Sequence, residues 1–232
     1  MSNASRQSAC CYMLLILSIF FAVPKIRAQA PVTEFDRQMA RVSLGVIGIG
    51  MINGSVSGTL SDGTVQSLSG SNTVGALATL RYVVSPLIGF EANYSYARYT
   101  ENFSRFFIPP TSGCINISWA EPAGVQTRAN EYTLGYVAHL PTFLGVIPFA
   151  SVGLGSTGFT PTAGGGQGLR AQARATYYYS IGAEQTLFSK HFGIRAQFRQ
   201  VFFKAPDFGQ NFLTINQHTS TYEPGAGFFL RF

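Results

Sequence analysis

The chain has 232 residues, of which 11% are charged, 46% hydrophobic and 14% aromatic. That balance excludes a disordered chain, which would be polar and poor in aromatics. Beyond the first 30 positions no run of 18 apolar residues occurs, which excludes a bundle of membrane-spanning helices. The apolar residues must be arranged in a finer pattern.

Residues 1–30 have the layout of a secretory signal. Arg6 supplies the basic start, residues 12–23 (YMLLILSIFFAV) the apolar run, and Ala28-Gln29-Ala30 a small-x-small cleavage site. Pro24, Lys25 and Arg27 close the run early, which argues against an uncleaved anchor. Cys10 and Cys11 precede the apolar run, whereas a lipidated cysteine would follow it. Cleavage is expected after Ala30, leaving residues 31–40 as a short polar lead-in. Loss of Arg6, Lys25 and Arg27 leaves 13 basic against 10 acidic residues, so the net charge falls from +6 to +3. Such a balance lends no support to nucleic-acid binding. Cys114 is the one cysteine left, so no internal disulfide, no metal site by Cys/His spacing and no cofactor is expected.

Eight strands are predicted over residues 42–51, 73–84, 88–99, 128–140, 147–157, 172–188, 192–203 and 222–232. The connections alternate in length. Residues 85–87, 141–146 and 189–191 are short turns; residues 52–72, 100–127, 158–171 and 204–221 are long loops. That rhythm describes an up-and-down meander with all short turns at one end. Within the strands, side chains alternate with period two. Ile88, Phe90, Ala92, Tyr94 and Tyr96 oppose Gly89, Glu91, Asn93, Ser95 and Ala97. Phe192, Ile194, Ala196 and Phe198 oppose Gly193, Arg195, Gln197 and Arg199.

A soluble sandwich also alternates, but its polar face meets water and carries many charges. Here the polar face is mostly Gly, Ser, Thr and Asn, and only Lys190 and Lys204 remain among the lysines after the signal. Several strands approach the 9–11 residues of a tilted membrane β-span. Aromatics gather at both ends of the apolar faces: Tyr82, Phe90, Phe192 and Phe232 near the short turns, and Tyr94, Tyr96, Tyr177, Phe202 and Tyr222 near the long loops. Two interfacial girdles would produce this distribution. In lipid every backbone polar group must pair, so the sheet must close. The expected fold is all-β, an eight-stranded antiparallel up-and-down transmembrane β-barrel over residues 41–232.

The last stretch, YEPGAGFFLRF, ends on Phe232 with Leu230 and Phe228 on the same face. It resembles the closing strand of bacterial outer-membrane proteins. With the signal and the eight strands, the chain resembles the small eight-stranded barrels typified by the OmpA membrane domain, OmpX and OmpW. The resemblance implies location in the outer membrane of a Gram-negative cell, lipid and lipopolysaccharide as surroundings, and a monomer. It also implies recognition of Phe228, Leu230 and Phe232 by the assembly machinery. A periplasmic cell-wall-binding domain like that of full-length OmpA is not expected, and with it no cell-wall tether.

No catalytic constellation is expected. His139 and His191 fall at the short-turn end, and His218 in the last long loop, where it makes the only candidate pair with Asp207. Such a loop pair is more often solvated surface than a site. The run GGGQG at residues 164–168 lacks the Lys-Ser/Thr of a phosphate loop. The long segment 100–127 carries Phe103, Phe106, Phe107, Cys114 and Trp119, and is expected to cap the barrel mouth. The inward faces carry Arg81, Glu91, Glu131, Arg174, Glu184, Arg195, Arg199, Glu223 and Arg231. Counting outward from the turns sets Arg81 opposite Glu91 and Glu184 opposite Arg195, close enough to pair. An eight-stranded barrel has room only for side chains, so an ion-pair network blocking the interior is expected. The functional expectation is a non-enzymatic structural or surface-interaction protein acting through its external loops. A narrow conduit for small or apolar solutes is the alternative, and an outer-membrane enzyme comes third.

Overall fold

The computed structural model describes residues 33–59, 64–107 and 123–232. The expected signal, with Ala28 and Ala30, lies outside the described residues, as do Cys114 and Trp119. Ten strands follow one another: β1 (Val42–Asn53), β2 (Ser55–Thr59), β3 (Thr64–Gly70), β4 (Thr73–Ser85), β5 (Ile88–Phe107), β6 (Ala123–His139), β7 (Val146–Pro161), β8 (Gln172–Ser189), β9 (Phe192–Lys204) and β10 (His218–Arg231).

Eight of them, β1 and β4–β10, form an antiparallel barrel. Each pairs with its chain neighbour, and β1 pairs with both β4 and β10. Closure leaves the barrel without a free edge, the condition a lipid environment imposes on a sheet. The alternation decides which side chains face out. In β1, Leu44 and Val46 are exposed while Ser43, Ile47 and Ile49 are buried. In β6, Tyr132, Leu134 and Tyr136 are exposed while Glu131, Thr133 and Val137 are buried. The outside is thus apolar and aromatic around the barrel, with Arg98, Gln126 and Arg128 exposed on it toward the long loops, while Arg81, Glu91, Glu131, Glu184, Arg195, Arg199 and Glu223 are enclosed.

The structure departs from the predicted elements at the long-loop end. A hairpin of β2 and β3 occupies the first long loop, and β3 continues the sheet by pairing with the outer part of β5. Its residues are Ser, Thr and Gly-rich with weak alternation, so no burial pattern announces it. β5 and β6 run on to Phe107 and Ala123, which confines the expected cap segment to residues 108–122, outside the described residues. β10 begins at His218 rather than at residue 222, and β1 extends to Asn53.

The lead-in also carries structure, a short helix α1 (Glu34–Met39). Thr33 caps it: its hydroxyl accepts the Asp36 N–H at 3.1 Å, and the Asp36 carboxylate accepts the Thr33 N–H at 3.0 Å. This reciprocal capping box satisfies two amides that a helix start leaves open. Those bonds hold the Asp36 carboxyl below its ordinary range.

Inside the barrel, composition changes with height. The short-turn half encloses charged and hydroxyl side chains. The long-loop half encloses an apolar cluster that includes Ile49, Leu77, Tyr99, Phe103, Val125, Phe159 and Phe203. The long-loop half also buries Glu101, Thr127, Thr157 and Thr221 among these apolar side chains. The strap between β9 and β10 closes the top, with Ala205, Phe208, Leu213 and Ile215 packed down onto that cluster.

Candidate functional site

The charged layer is built by strand parity. The β4–β5 register sets Arg81 opposite Glu91, and the guanidinium donates to Glu91 Oε2 from Nη2 at 2.7 Å and from Nε at 3.2 Å. Arg81 reaches across the barrel as well. Its Nη1 bonds Glu184 of β8 and lies 3.3 Å from His139 Nε2, and its guanidinium stacks 4.4 Å from the Phe149 ring centre. Glu184 sits opposite Arg195 of β9, 2.9 Å from its Nη2, with Arg231 further off at 3.6 Å. Phe149 and Phe229 flank Arg195, so its planar group is held between aromatic faces.

A second cluster stands beside the first. Arg199 is opposite Glu223 and donates to it at 2.8 Å. Its other nitrogen bonds Glu131 across the barrel and Thr133 at 3.2 Å. The guanidinium lies 4.2 Å over the ring of Tyr178. Tyr178 joins the two clusters, since its hydroxyl donates to Glu91 Oε1 at 2.8 Å. Ser151 and Asn93 donate to the same oxygen at 2.8 and 3.2 Å. Arg81, Arg195 and Arg199 are each only 1% exposed. Charges so far from water persist only when paired and hydrogen-bonded.

Two residues of the expected network stand apart. Arg174 faces inward but too high: it pairs with Asp207 of the strap at 2.8 Å, not with the glutamates. Arg231 lies at the short-turn rim, a third exposed, in loose contact with Glu184. Tyr178 and His139 join the network from outside the expected set. Tyr178 shares its parity with Thr176 and Ser180, which was the available signal; its neighbours Tyr177 and Tyr179 drew attention to the opposite face. His139 is expected at the short-turn end, and strand parity names no partner for it. The space for Tyr178 comes from Gly135 and Gly153, where an added Cβ would run into its hydroxyl and ring.

The outer mouth is latched by Asp207. Its carboxylate accepts from Gln172 Nε2 at 2.7 Å and from the Gly209 N–H at 3.0 Å, beside the Arg174 guanidinium. Gln172 Oε1 in turn accepts the N–H groups of Asp207 and Phe208 at 3.0 Å each. Burial pushes the Asp207 carboxyl up, but the Gln172 and Gly209 bonds and Arg174 outweigh it and leave it below its ordinary value. The chain turns through positive φ at Phe208 and Gly209, which aims the Phe208 ring down against Phe103 at 6.3 Å. Asp207 and His218 are not brought together; His218 lies in β10 against Tyr177. Among the described residues, no group of three or more His, Cys, Asp or Glu has the geometry to hold a metal. Phe228, Leu230 and Phe232 are all exposed on the outer surface, with Phe228 stacked on Phe192 at 5.6 Å.

A closed sheet with an apolar exterior, short turns at one end and long excursions at the other is the fold of a transmembrane β-barrel. Solved structures agree. The chain is similar to Neisserial surface protein A (NspA), with 13% identity and a TM-score of 0.52 over 82% of this chain and 97% of that one. It is also similar to the outer membrane protein OprG from Pseudomonas aeruginosa, with 11% identity and a TM-score of 0.54 over 82% of this chain and 95% of that one. The likeness is one of fold. No family model and no curated protein matches the chain.

Proposed function

We propose that this chain is an integral outer-membrane protein with a closed barrel, which acts as an envelope scaffold and presents its long-loop end as an interaction surface. The observation that carries the reading is the filled interior. The paired charges of Arg81, Glu91, Glu184, Arg195, Arg199, Glu131 and Glu223 occupy one half of the height, and the apolar cluster under the strap occupies the other. Short turns face the periplasm and long loops the exterior, as in bacterial barrels generally. Outside, the β2–β3 hairpin and the outer part of β5 extend the wall beyond a membrane's thickness and offer a sheet to a partner. Lipopolysaccharide and membrane lipid surround the apolar wall, and the assembly machinery recognises Phe228, Leu230 and Phe232.

A conduit for apolar solutes is the second reading. It is favoured by the apolar outer half of the lumen, which the strap would uncover on lifting. Planar-bilayer recording separates the two. A scaffold gives no steady conductance in the unmodified protein, whereas large, stable single-channel currents would refute the plug. Fractionation tests location: the protein should stay with the outer membrane after high-salt washing and migrate faster in unheated than in heated gel samples.

A further inference from the structure

The interior charges are unevenly divided. Toward the short turns, Arg81, Arg195 and Arg231 meet two carboxylates, Glu91 and Glu184. Deeper in, one cation, Arg199, meets two, Glu131 and Glu223. The short-turn mouth is therefore the basic end of the lumen. Nε and Nη1 of Arg195 are buried there without an acceptor, which adds unspent donor capacity.

A cavity of about 550 Å³ opens at this mouth between the first two short turns and the ends of β1 and β10. Its polar lining includes Arg41, His139 and Arg231, and none of the lining residues is acidic. Backbone bonds fix the framework: Val83 N–H donates to Arg41 O at 2.9 Å, and His139 N–H to Leu87 O at 2.8 Å. His139 is 7% exposed, and its protonation follows from its partner. Nε2 lies 3.3 Å from Arg81 Nη1, and a guanidinium can only donate. Nε2 must accept, so the ring proton resides on Nδ1. That Nδ1–H is buried and has no acceptor. A buried donor without a partner is costly, and here it belongs to a residue that lines a cavity with two arginines.

We propose that the short-turn mouth binds a phosphate group, which accepts from the guanidinium groups of Arg41 and Arg231 and, once a small shift of the ring opens it to the cavity, from the His139 Nδ1–H. A phosphate offers several oxygens in the geometry that guanidinium forks match. Glu184 does not fill this role, because it is 3.6 Å from Arg231 and already shared by Arg81 and Arg195. The phosphate is either free or the headgroup of a lipid. Exposed Leu87 and Leu140 on the cavity wall suit acyl chains. The proposal rests on the outer-membrane reading only for the compartment that this mouth faces.

The test uses the protein purified from membranes in an uncharged detergent, with folding checked by heat-shifted gel migration. Phosphorus NMR titrations with inorganic phosphate and with dihexanoyl phosphatidic acid measure the affinities. Saturable binding is expected for at least one probe. Arg41→Gln with Arg231→Gln should weaken it at least about tenfold, as expected for losing charge-assisted hydrogen bonds, and Arg41→Lys with Arg231→Lys, which keeps charge but not the fork, should weaken it less. Arg174→Gln, at the other end, should leave it unchanged. Tighter binding of the short lipid assigns a headgroup, and equal or weaker binding assigns free phosphate. No saturable binding of either probe, or equal affinity in the double glutamine variant, would overturn the site. These outcomes do not depend on location in the cell, so a failed fractionation and a failed titration remain distinguishable.

Discussion

Replacing Glu184 by Gln tests whether the charged layer is dry. Glu184 serves two buried guanidinium groups, Arg81 and Arg195, and its side chain is 2% exposed. The substitution keeps volume and removes charge. Arg81 retains Glu91 at 2.7 Å, but among the described residues Arg195 has no other carboxylate within salt-bridge distance. Its side chain is 0% exposed, so its charge cannot turn to water. Leaving such a charge unpaired costs about 3–5 kcal/mol. With a urea dependence of about 2 kcal/mol per molar, the unfolding midpoint falls by roughly 1.5–2.5 M. The assay is heat-shifted gel migration across a urea series, checked by circular dichroism. Adding Arg195→Met to the same chain removes the stranded cation and should recover most of the loss, because a buried pair replaced by apolar residues is often neutral. A single-variant cost below about 1 kcal/mol, with strictly additive effects in the double variant, would refute the reasoning and indicate a wetted lumen.

Gly135→Ala should displace Tyr178 from Glu91 and destabilise the barrel by about 1–3 kcal/mol, the usual cost of overpacking; the same urea series reads it. Asp207 is held below its ordinary value, so its latch is intact above the normal carboxylate range and weakens as pH falls through the lowered value. Hydrogen exchange in residues 205–217 should rise at that acid limit, and Asp207→Asn should raise it already at pH 7; unchanged exchange in the variant would remove Asp207 from the latch. Deleting Phe232 should lower the amount of folded protein in the outer membrane more than the yield of refolding in detergent. Equal outer-membrane levels would discard the assembly role of Phe228, Leu230 and Phe232.

Period-two alternation made the strands and their facing legible, because a side chain in a strand has only two directions available. Turn position then sets register, so the juxtaposition of Arg81 with Glu91 and of Glu184 with Arg195 can be counted along the chain. The count ends at nearest neighbours. Arg81 and Glu184 lie 103 positions apart on strands that do not pair, and only closure of the barrel lets one cross the lumen to the other. Arg174 has the same inward parity as Glu184, yet strand length and tilt lift it to the strap and Asp207. Parity states a face and says nothing of height.

Few charges and alternating apolar faces already dictate a membrane-type barrel, because such a chain can satisfy its backbone in lipid only by closing a sheet. Closure of the ring separates the paired charges near the short turns from a mostly apolar layer near the long loops, brings Tyr178 and His139 into the network, and seats the strap on top. Those features arise from contacts across a closed ring and from the level each residue reaches along the axis. No local pattern encodes either of them.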